Sequence, residues 1–332
     1  MPIIRALPRG GWGPPRALAS AAMFTTLLGP LPRPPLPADA SPEALLDAVL
    51  AVQVEHGLEP LTDAGWALAG GVAGSSRAVA GGAAASVGAV DAWRSAAGRA
   101  DRLVKAVLRG PFSIGSDGAD ERRAVLDLAD AGCRWIEIQE PAAVAVGADP
   151  TTRARFADLH RALTADLDGI HLSLAIAGGN ADAAGIETVL AGAYASLALD
   201  LIGGPDNWRL AVEAPGDRGI ICGVVAAHAG SDDGPEIMLW AAGYAASTGG
   251  RGAARVGLAT AGSYAGLSWD VAAEKVRRLG AAARLATAPH EDRLAAIDPR
   301  AVDIRSAGLG RYTPGRPRRS RRPAGGDRGA GR

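Results

Sequence analysis

Residues 169–200, GIHLSLAIAGGNADAAGIETVLAGAYASLALD, indicate the fold of this chain. The apolar run 170–176 predicts a buried strand, and a turn of two glycines and an asparagine follows it. A helix-like run over 181–194 leads into a second apolar strand, 197–199. This order of strand, helix and strand predicts a β-α-β unit, the building block of parallel α/β folds.

Three polar side chains interrupt this apolar unit. His171 and Ser173 are two positions apart, so a strand presents both on one face, and Asp200 follows the second strand directly. Polar residues at the ends of buried strands in such units are typical of the active sites of barrel enzymes. Two interpretations of His171 stay open: a core histidine with satisfied hydrogen bonds, or a member of a pocket shared with Asp200.

Further strand-like segments recur along the chain with helical segments between them. The predicted strands are 24–28, 58–62, 103–108, 133–138, 170–176, 197–199, 219–225 and 255–259. Ser41 and Pro42 predict the start of a helix that Gly57 ends, and Ser268 predicts the start of another over 269–286. Residues 64–100, rich in glycine and alanine, predict a mobile excursion over the barrel mouth. Eight strands alternating with helices predict an α/β fold of the (β/α)8 TIM-barrel type in a single domain.

The two ends of the chain differ from this body. Residues 1–22 contain arginine and several prolines without a continuous apolar segment, which predicts a disordered leader rather than a signal peptide. The predicted barrel occupies 23–290 and a predicted disordered basic tail occupies 291–332. Residues 311–332 hold eight arginines against one aspartate. Composition favours a solvated tail over one that binds nucleic acid.

Composition excludes several function classes for the body of the chain. Of its 332 residues 48% are apolar, and 35 Lys and Arg balance 35 Asp and Glu, so nothing favours nucleic acid or an anionic membrane as a partner. The chain has no apolar run of 18 residues, the length that would predict a membrane span. Cys133 and Cys222 lie in apolar, strand-like runs, so we expect buried, reduced thiols in a cytoplasmic protein.

Several segments together resemble the C-terminal catalytic barrel of cobalamin-independent methionine synthase, in the uroporphyrinogen-decarboxylase-like superfamily. The resemblance covers roughly residues 24–287. It rests on TTLLGPLPRP (25–34), GLEPLTDAG (57–65), VKAVLRGPFSI (104–114), GCRWIEIQEPA (132–142), HLS (171–173) and YAGLSWDVAAEKVRRL (264–279). It implies a TIM barrel that transfers a methyl group from methyl-folate to the thiol of homocysteine in methionine biosynthesis.

The resemblance also implies a zinc ion that binds the substrate sulfur as thiolate, held by a His-x-Cys pair, a Glu and a further Cys. By this resemblance His171 and Asp200 are the expected metal ligands, while Ser173 and either Ala265 or its neighbour Ser263 stand where the cysteines are expected. A neutral serine hydroxyl is a weak zinc ligand. The resemblance therefore predicts a degenerate zinc site.

Other site residues follow from the same resemblance. Gln139 replaces the carboxylate expected to hold the amino group of the substrate, and Glu140 follows it. We predict His171 and Glu140 as catalytic residues, with His171 as the base that activates a thiol if zinc is absent. Gln139, Ser173 and Asp63 are the predicted substrate-binding residues, although Asp63 in the turn TDAG also fits an ordinary Asx turn.

Three functions stay open at this point. The first is a methionine-synthase-like S-methyltransferase, or a related one-carbon or alkyl transferase, with a methyl donor as co-substrate and a small thiol or amino-acid-like acceptor. A separate protein is then expected to supply the methyl donor. The second is a catalytically inactive barrel that binds a small molecule or a partner protein. The third, a porphyrin-type decarboxylase, lacks an arginine cluster near the strand ends to bind several carboxylates.

Overall fold

The computed structural model describes residues 23–63, 65, 83–231, 233–289 and 291–293, and the account below concerns these residues. The predicted leader, 1–22, and the predicted tail beyond Arg293 lie outside the described residues. Most of the glycine-rich part of 64–100 does as well.

A curled sheet of seven parallel strands forms the centre of the described part of the chain. The strands are β1 (Thr25–Thr26), β2 (Ala106–Arg109), β3 (Trp135–Gln139), β4 (His171–Ile176), β5 (Ser196–Asp200), β6 (Gly219–Val225) and β7 (Val256–Thr260). Their order is β1-β7-β6-β5-β4-β3-β2, so almost every strand pairs with its neighbour in sequence. The predicted α/β class is confirmed, and the arrangement is consistent with a TIM-like barrel.

Helices follow most strands and pack on the outer face of the sheet. They are α1 (Pro42–Glu55), α2 (Ala83–Ala97), α3 (Pro111–Ile114), α4 (Ala119–Asp130), α5 (Pro150–Thr164), α6 (Ile186–Val189), α7 (Trp208–Glu213), α8 (Pro235–Ser247) and α9 (Trp269–Ala286). Helix α1 shows why local sequence sets these bounds. Ser41 accepts the N–H of Ala44 at 3.2 Å, Pro42 opens the first turn, and Gly57 takes φ +81° just past the end.

The second predicted strand, 58–62, does not form a strand. Leu61 bridges Val104 in the parallel sense, whereas Glu59 bridges Thr25 of β1 in the antiparallel sense. Pro60 lies between the two bridging residues and has no N–H to donate, so a continuous ladder cannot run through it. The segment links the two edge strands through single bridges only, and the sheet formed by the described residues has seven strands where eight were predicted.

The sequence analysis missed one helix and predicted another that is too long. Within 64–100, where no helix was predicted, residues 83–97 form α2, since alanine is the strongest helix former. The opposite error concerns 181–194, which was predicted as one helix. It contains a three-residue 3-10 turn and the four-residue α6, because Gly185 between them adopts φ +87° and ends the helical geometry.

Apolar side chains lie on both faces of the sheet. The larger cluster joins the outer face to the helices and includes Ile136 and Ile138 of β3. The smaller cluster, on the inner face of the curl, contains Phe24, Leu28, Trp135, Ala175, Ala198, Ile221 and Ala259. Because side chains alternate along a strand, Glu137 and Gln139 share the inner face with Trp135. No helix in the described part is long and apolar enough to cross a membrane.

Candidate functional site

The structure does not bring His171 and Asp200 together. His171 is the first residue of β4, and its Nε2 lies 2.8 Å from Oγ of Ser196, the first residue of β5. Asp200 is the last residue of β5 and accepts the N–H of Gly178, beyond the end of β4, at 3.2 Å. The seven positions from His171 to Gly178 span about 23 Å of extended chain. The predicted shared pocket is therefore not formed, because the two side chains lie at opposite ends of the sheet.

His171 and Ser173 do share the inner face, as the spacing predicts. The His171 ring packs on Trp135 with centroids 3.9 Å apart, and Trp135 Nε1 donates to Ser173 Oγ at 3.3 Å. His171 is 9% exposed, and its burial, with a smaller effect of the Lys105 charge, lowers the pKa of the imidazole to about 3. Such an imidazole is neutral at pH 7 and a weak base, so the surroundings favour the core-histidine interpretation.

Glu140 is surrounded by donors of the protein itself. Its carboxylate accepts the N–H of Phe112 at 3.0 Å, the N–H of Ser113 at 2.8 Å and the Ser113 hydroxyl at 2.5 Å. His160 Nε2 also lies 3.3 Å from Oε1, without hydrogen-bond geometry. The two N–H groups belong to the first turn of α3, where helices leave donors unsatisfied. Fully buried, Glu140 fixes the segment that follows β2.

Asp200 organises the turn that follows β5. Its Oδ1 accepts the N–H of Ile202 at 3.0 Å and of Gly203 at 2.7 Å, and its Oδ2 accepts the Gly178 N–H. Burial raises the pKa of this carboxyl, and the backbone donors oppose that effect. The carboxylate stands at the end of the sheet where barrel enzymes hold substrates, and it ties two neighbouring loops together there.

The inner face also carries a buried ion pair that the sequence analysis missed. Lys105, just before β2, pairs with Glu137 in the middle of β3, and the two residues are 1% and 0% exposed. Lys105 Nζ also donates to the Leu27 carbonyl at 2.8 Å, and Gln139 Nε2 donates to Glu137 Oε1 at 3.0 Å. Burial lowers the pKa of Lys105, and Glu137 opposes the shift. Charged residues inside otherwise apolar strands were the available signal.

Asp63 lies beside this pair. Its Oδ1 accepts the Gly65 N–H at 3.1 Å, which forms the Asx turn considered in the sequence analysis, and its charge opposes the lowering of the Lys105 pKa. A cavity of about 10 Å³ is lined by Asp63, Lys105 and Trp93 among others. That volume admits about one water molecule.

The residues of the described chain do not fit a zinc ion. No group of three or more His, Cys, Asp or Glu side chains among them could hold a metal. The predicted burial of the thiols is confirmed, because Cys133 and Cys222 are both 0% exposed. Burial raises their pKa values to about 11 and about 12, so neither presents the thiolate that zinc requires. His171 lies at the other end of the sheet from Asp200, and the methyl side chain of Ala265 has no atom that can bind a metal.

A curled parallel sheet, helices on its outer face and polar groups on its inner face define an α/β protein of the TIM-like kind. No protein-family model matches the sequence, and no curated protein matches it. Several solved structures are similar to it. A B12-independent methionine synthase from Shewanella sp. W3-18-1, in complex with selenomethionine, is 13% identical with a TM-score of 0.62, covering 83% of this chain and 100% of its own.

A putative vitamin-B12-independent methionine synthase from Listeria monocytogenes is similar to the same degree. It is 14% identical with a TM-score of 0.59, and the match covers 78% of this chain and 96% of the Listeria chain. At these identities the likeness establishes the fold. The resemblance predicted from the sequence segments is confirmed at that level.

Proposed function

We propose that this protein is a methionine-synthase-like S-methyltransferase, or a related one-carbon transferase, that works without bound zinc. The observation that carries the proposal is the fold likeness to the Shewanella B12-independent methionine synthase over the whole of that chain. Gln139 and Asp200, the last residues of β3 and β5, support it, because the carboxyl ends of the strands hold the substrates of barrel enzymes.

A thiol acceptor that has no zinc needs a base to remove its proton. His171 is unsuited to this role because its pKa is about 3 and it lies at the amino-terminal end of β4. The ion pair of Lys105 and Glu137 lies nearer the carboxyl end of the strands, because Gln139 contacts Glu137 directly, but both partners are buried and already paired. We therefore assign substrate binding to Gln139, and the acceptor thiol has to lose its proton to solvent before it binds.

A second candidate is a catalytically inactive barrel that binds a small molecule or a partner protein. One observation favours it: protein donors surround the carboxylates of Glu140 and Asp200, so neither is vacant for chemistry. The absence of a metal-binding group from the described residues points the same way, because it removes the usual means of thiol activation.

A methyl-transfer assay with free methyl-tetrahydrofolate in the presence of EDTA, and with homocysteine or its 2-hydroxy analogue as the acceptor, separates the two candidates. We expect turnover by the wild-type protein and a loss of about tenfold or more in Gln139→Leu. Arg123→Ala, an exposed change on α4, is the matched control with unchanged turnover. His171→Asn should keep the turnover of a folded protein. Turnover that appears only with added zinc contradicts the proposal, and binding of the donor or of an acceptor without turnover supports the second candidate.

A further inference from the structure

We infer that Arg109 and Gln139 form a carboxylate-binding subsite at the carboxyl end of the inner face. Its ligand is a small carboxylate with a neutral hydrogen-bond donor, such as a hydroxyl, on the adjacent carbon. The position of Arg109 follows from the alternation along β2. Ala106 and Leu108 belong to the outer cluster, so Lys105 and Arg109 face inward. The sheet register pairs Arg109 with Gln139, which places the two on adjacent strands at about 4.8 Å spacing.

Arg109 is the group that would bind the carboxylate. It is exposed, and none of the described residues forms a hydrogen bond or an ion pair with its guanidinium. Lys105, the other cation on the inner face of β2, is already compensated by Glu137. A guanidinium offers a planar fork of N–H donors that matches the two oxygens of a carboxylate. Within the described residues Arg109 is thus an unpaired positive charge at the carboxyl end of the sheet, with donors available to a ligand.

Gln139 selects the second group of the ligand. Its amide nitrogen donates to Glu137 Oε1, because an ionised carboxylate only accepts hydrogen bonds. The carbonyl oxygen of Gln139 is therefore the atom left to accept from a ligand. The carboxylate that Gln139 contacts, Glu137, is neutralised by Lys105, so among the described residues no unpaired carboxylate is in contact with Gln139 to attract an ammonium group. A neutral donor such as a hydroxyl suits this surrounding better.

The subsite rests on the proposed function only in placing the ligand at this end of the sheet, and it does not require turnover. Three probes with one carbon skeleton test it: butyrate, 2-hydroxybutyrate and 2-aminobutyrate, titrated into the full-length protein and followed by NMR. We expect saturable binding with 2-hydroxybutyrate the tightest. Arg109→Met should weaken that binding about tenfold or more, because it removes a charge-assisted pair. Arg94→Met, which removes another exposed arginine on α2, should leave it unchanged.

Gln139→Leu should equalise butyrate and 2-hydroxybutyrate, because it removes the acceptor for the hydroxyl. Equal binding by Arg109→Met and wild type, or no saturable binding of any probe, overturns the subsite. Tighter binding of 2-aminobutyrate overturns the choice of a neutral donor, and equal binding of butyrate to the wild type overturns the role of Gln139. If the wild type binds 2-hydroxybutyrate as expected but transfers no methyl group, the proposed function alone is refuted. If Arg109→Met keeps both methyl transfer and 2-hydroxybutyrate binding, the subsite alone is refuted.

Discussion

Replacing Glu137 with glutamine tests what the buried ion pair contributes to stability. The substitution keeps the size of the side chain and removes its charge. The buried Lys105 ammonium then loses its paired carboxylate and, among the described residues, keeps only neutral acceptors, such as the Leu27 carbonyl 2.8 Å away, and the smaller influence of the Asp63 charge. Removing one partner of a buried pair costs about 3–5 kcal/mol, because the other charge is left uncompensated. At about 1.5–2 °C per kcal/mol for a chain of this size, the melting temperature falls by roughly 5–10 °C.

The double variant Lys105→Met with Glu137→Leu distinguishes the effect of the uncompensated charge from the effect of altered packing. Replacing a buried pair by apolar side chains of similar volume is often neutral or stabilising, since no charge needs to be desolvated. We therefore expect the double variant to unfold at a urea concentration near that of the wild type, well above that of Glu137→Gln. A double variant as unstable as Glu137→Gln would show that the loss comes from altered packing rather than from an uncompensated charge.

The free energy of unfolding of Glu137→Gln should also depend on pH, in a direction that the pKa of Lys105 sets. Burial lowers the pKa of Lys105 in the wild type, and losing Glu137 removes the larger of the two charges that oppose this shift, so that only the smaller effect of Asp63 remains. In the variant the folded state releases the lysine proton at a lower pH than the unfolded chain, whose value is about 10.4. Stability then rises with pH in that interval, because the unfolded state binds more protons. Urea unfolding from pH 7 to 10 should show the deficit shrinking, and a deficit that grows with pH, or one below about 1 kcal/mol at pH 7, refutes this reasoning.

Three further outcomes follow from the buried groups. Burial holds the pKa of His171 at about 3, below the unfolded value of about 6.5, so the free energy of unfolding should fall below pH 6.5 by up to about 1.4 kcal/mol per unit. In urea unfolding His171→Asn should lose this slope, whereas the exposed control His228→Asn should keep it. Cys133 and Cys222 should resist a disulfide reagent at pH 8 until urea unfolds the chain, and rapid labelling of native protein would contradict their burial. Dialysis against EDTA should leave the melting temperature unchanged, and a fall of several degrees would show a metal site that the described residues do not contain.

The elements best predicted from sequence are those whose signals are local and agree with one another. The predicted bounds 219–225 and 269–286 are those of β6 and α9, because a continuous apolar run specifies the first and amphipathic spacing the second. Two of the errors occur where a single residue opposes the pattern around it. Pro60 interrupts a run that is otherwise strand-like, and Gly185 divides a run that is otherwise helical.

The candidate site was harder to predict than the fold, because alternation predicts the face of the sheet on which a side chain lies but not the end of the strand at which it lies. His171 and Ser173 were correctly placed on one face, and both contact Trp135. The strand begins at His171, directly after the turn at Gly169 with φ +82°, so the imidazole lies at the amino-terminal end. The end of the sheet at which His171 lies depends on where β4 begins. The apolar pattern predicted a strand that starts at residue 170, one residue before the observed start.

Gln139→Glu tests whether the charges of Lys105, Glu137 and Arg109 on the inner face depend on one another. The substitution places a second carboxylate at the 3.0 Å position that the amide nitrogen now holds beside Glu137 Oε1. Lys105 can compensate only one of the two carboxylates, so the added charge turns toward Arg109 on the adjacent strand. A paired Arg109 no longer attracts a carboxylate, and we expect Gln139→Glu to lose 2-hydroxybutyrate binding by NMR titration while Gln139→Leu keeps binding the carboxylate. If Gln139→Glu binds 2-hydroxybutyrate like the wild type, the positive charge at the mouth has another source than Arg109.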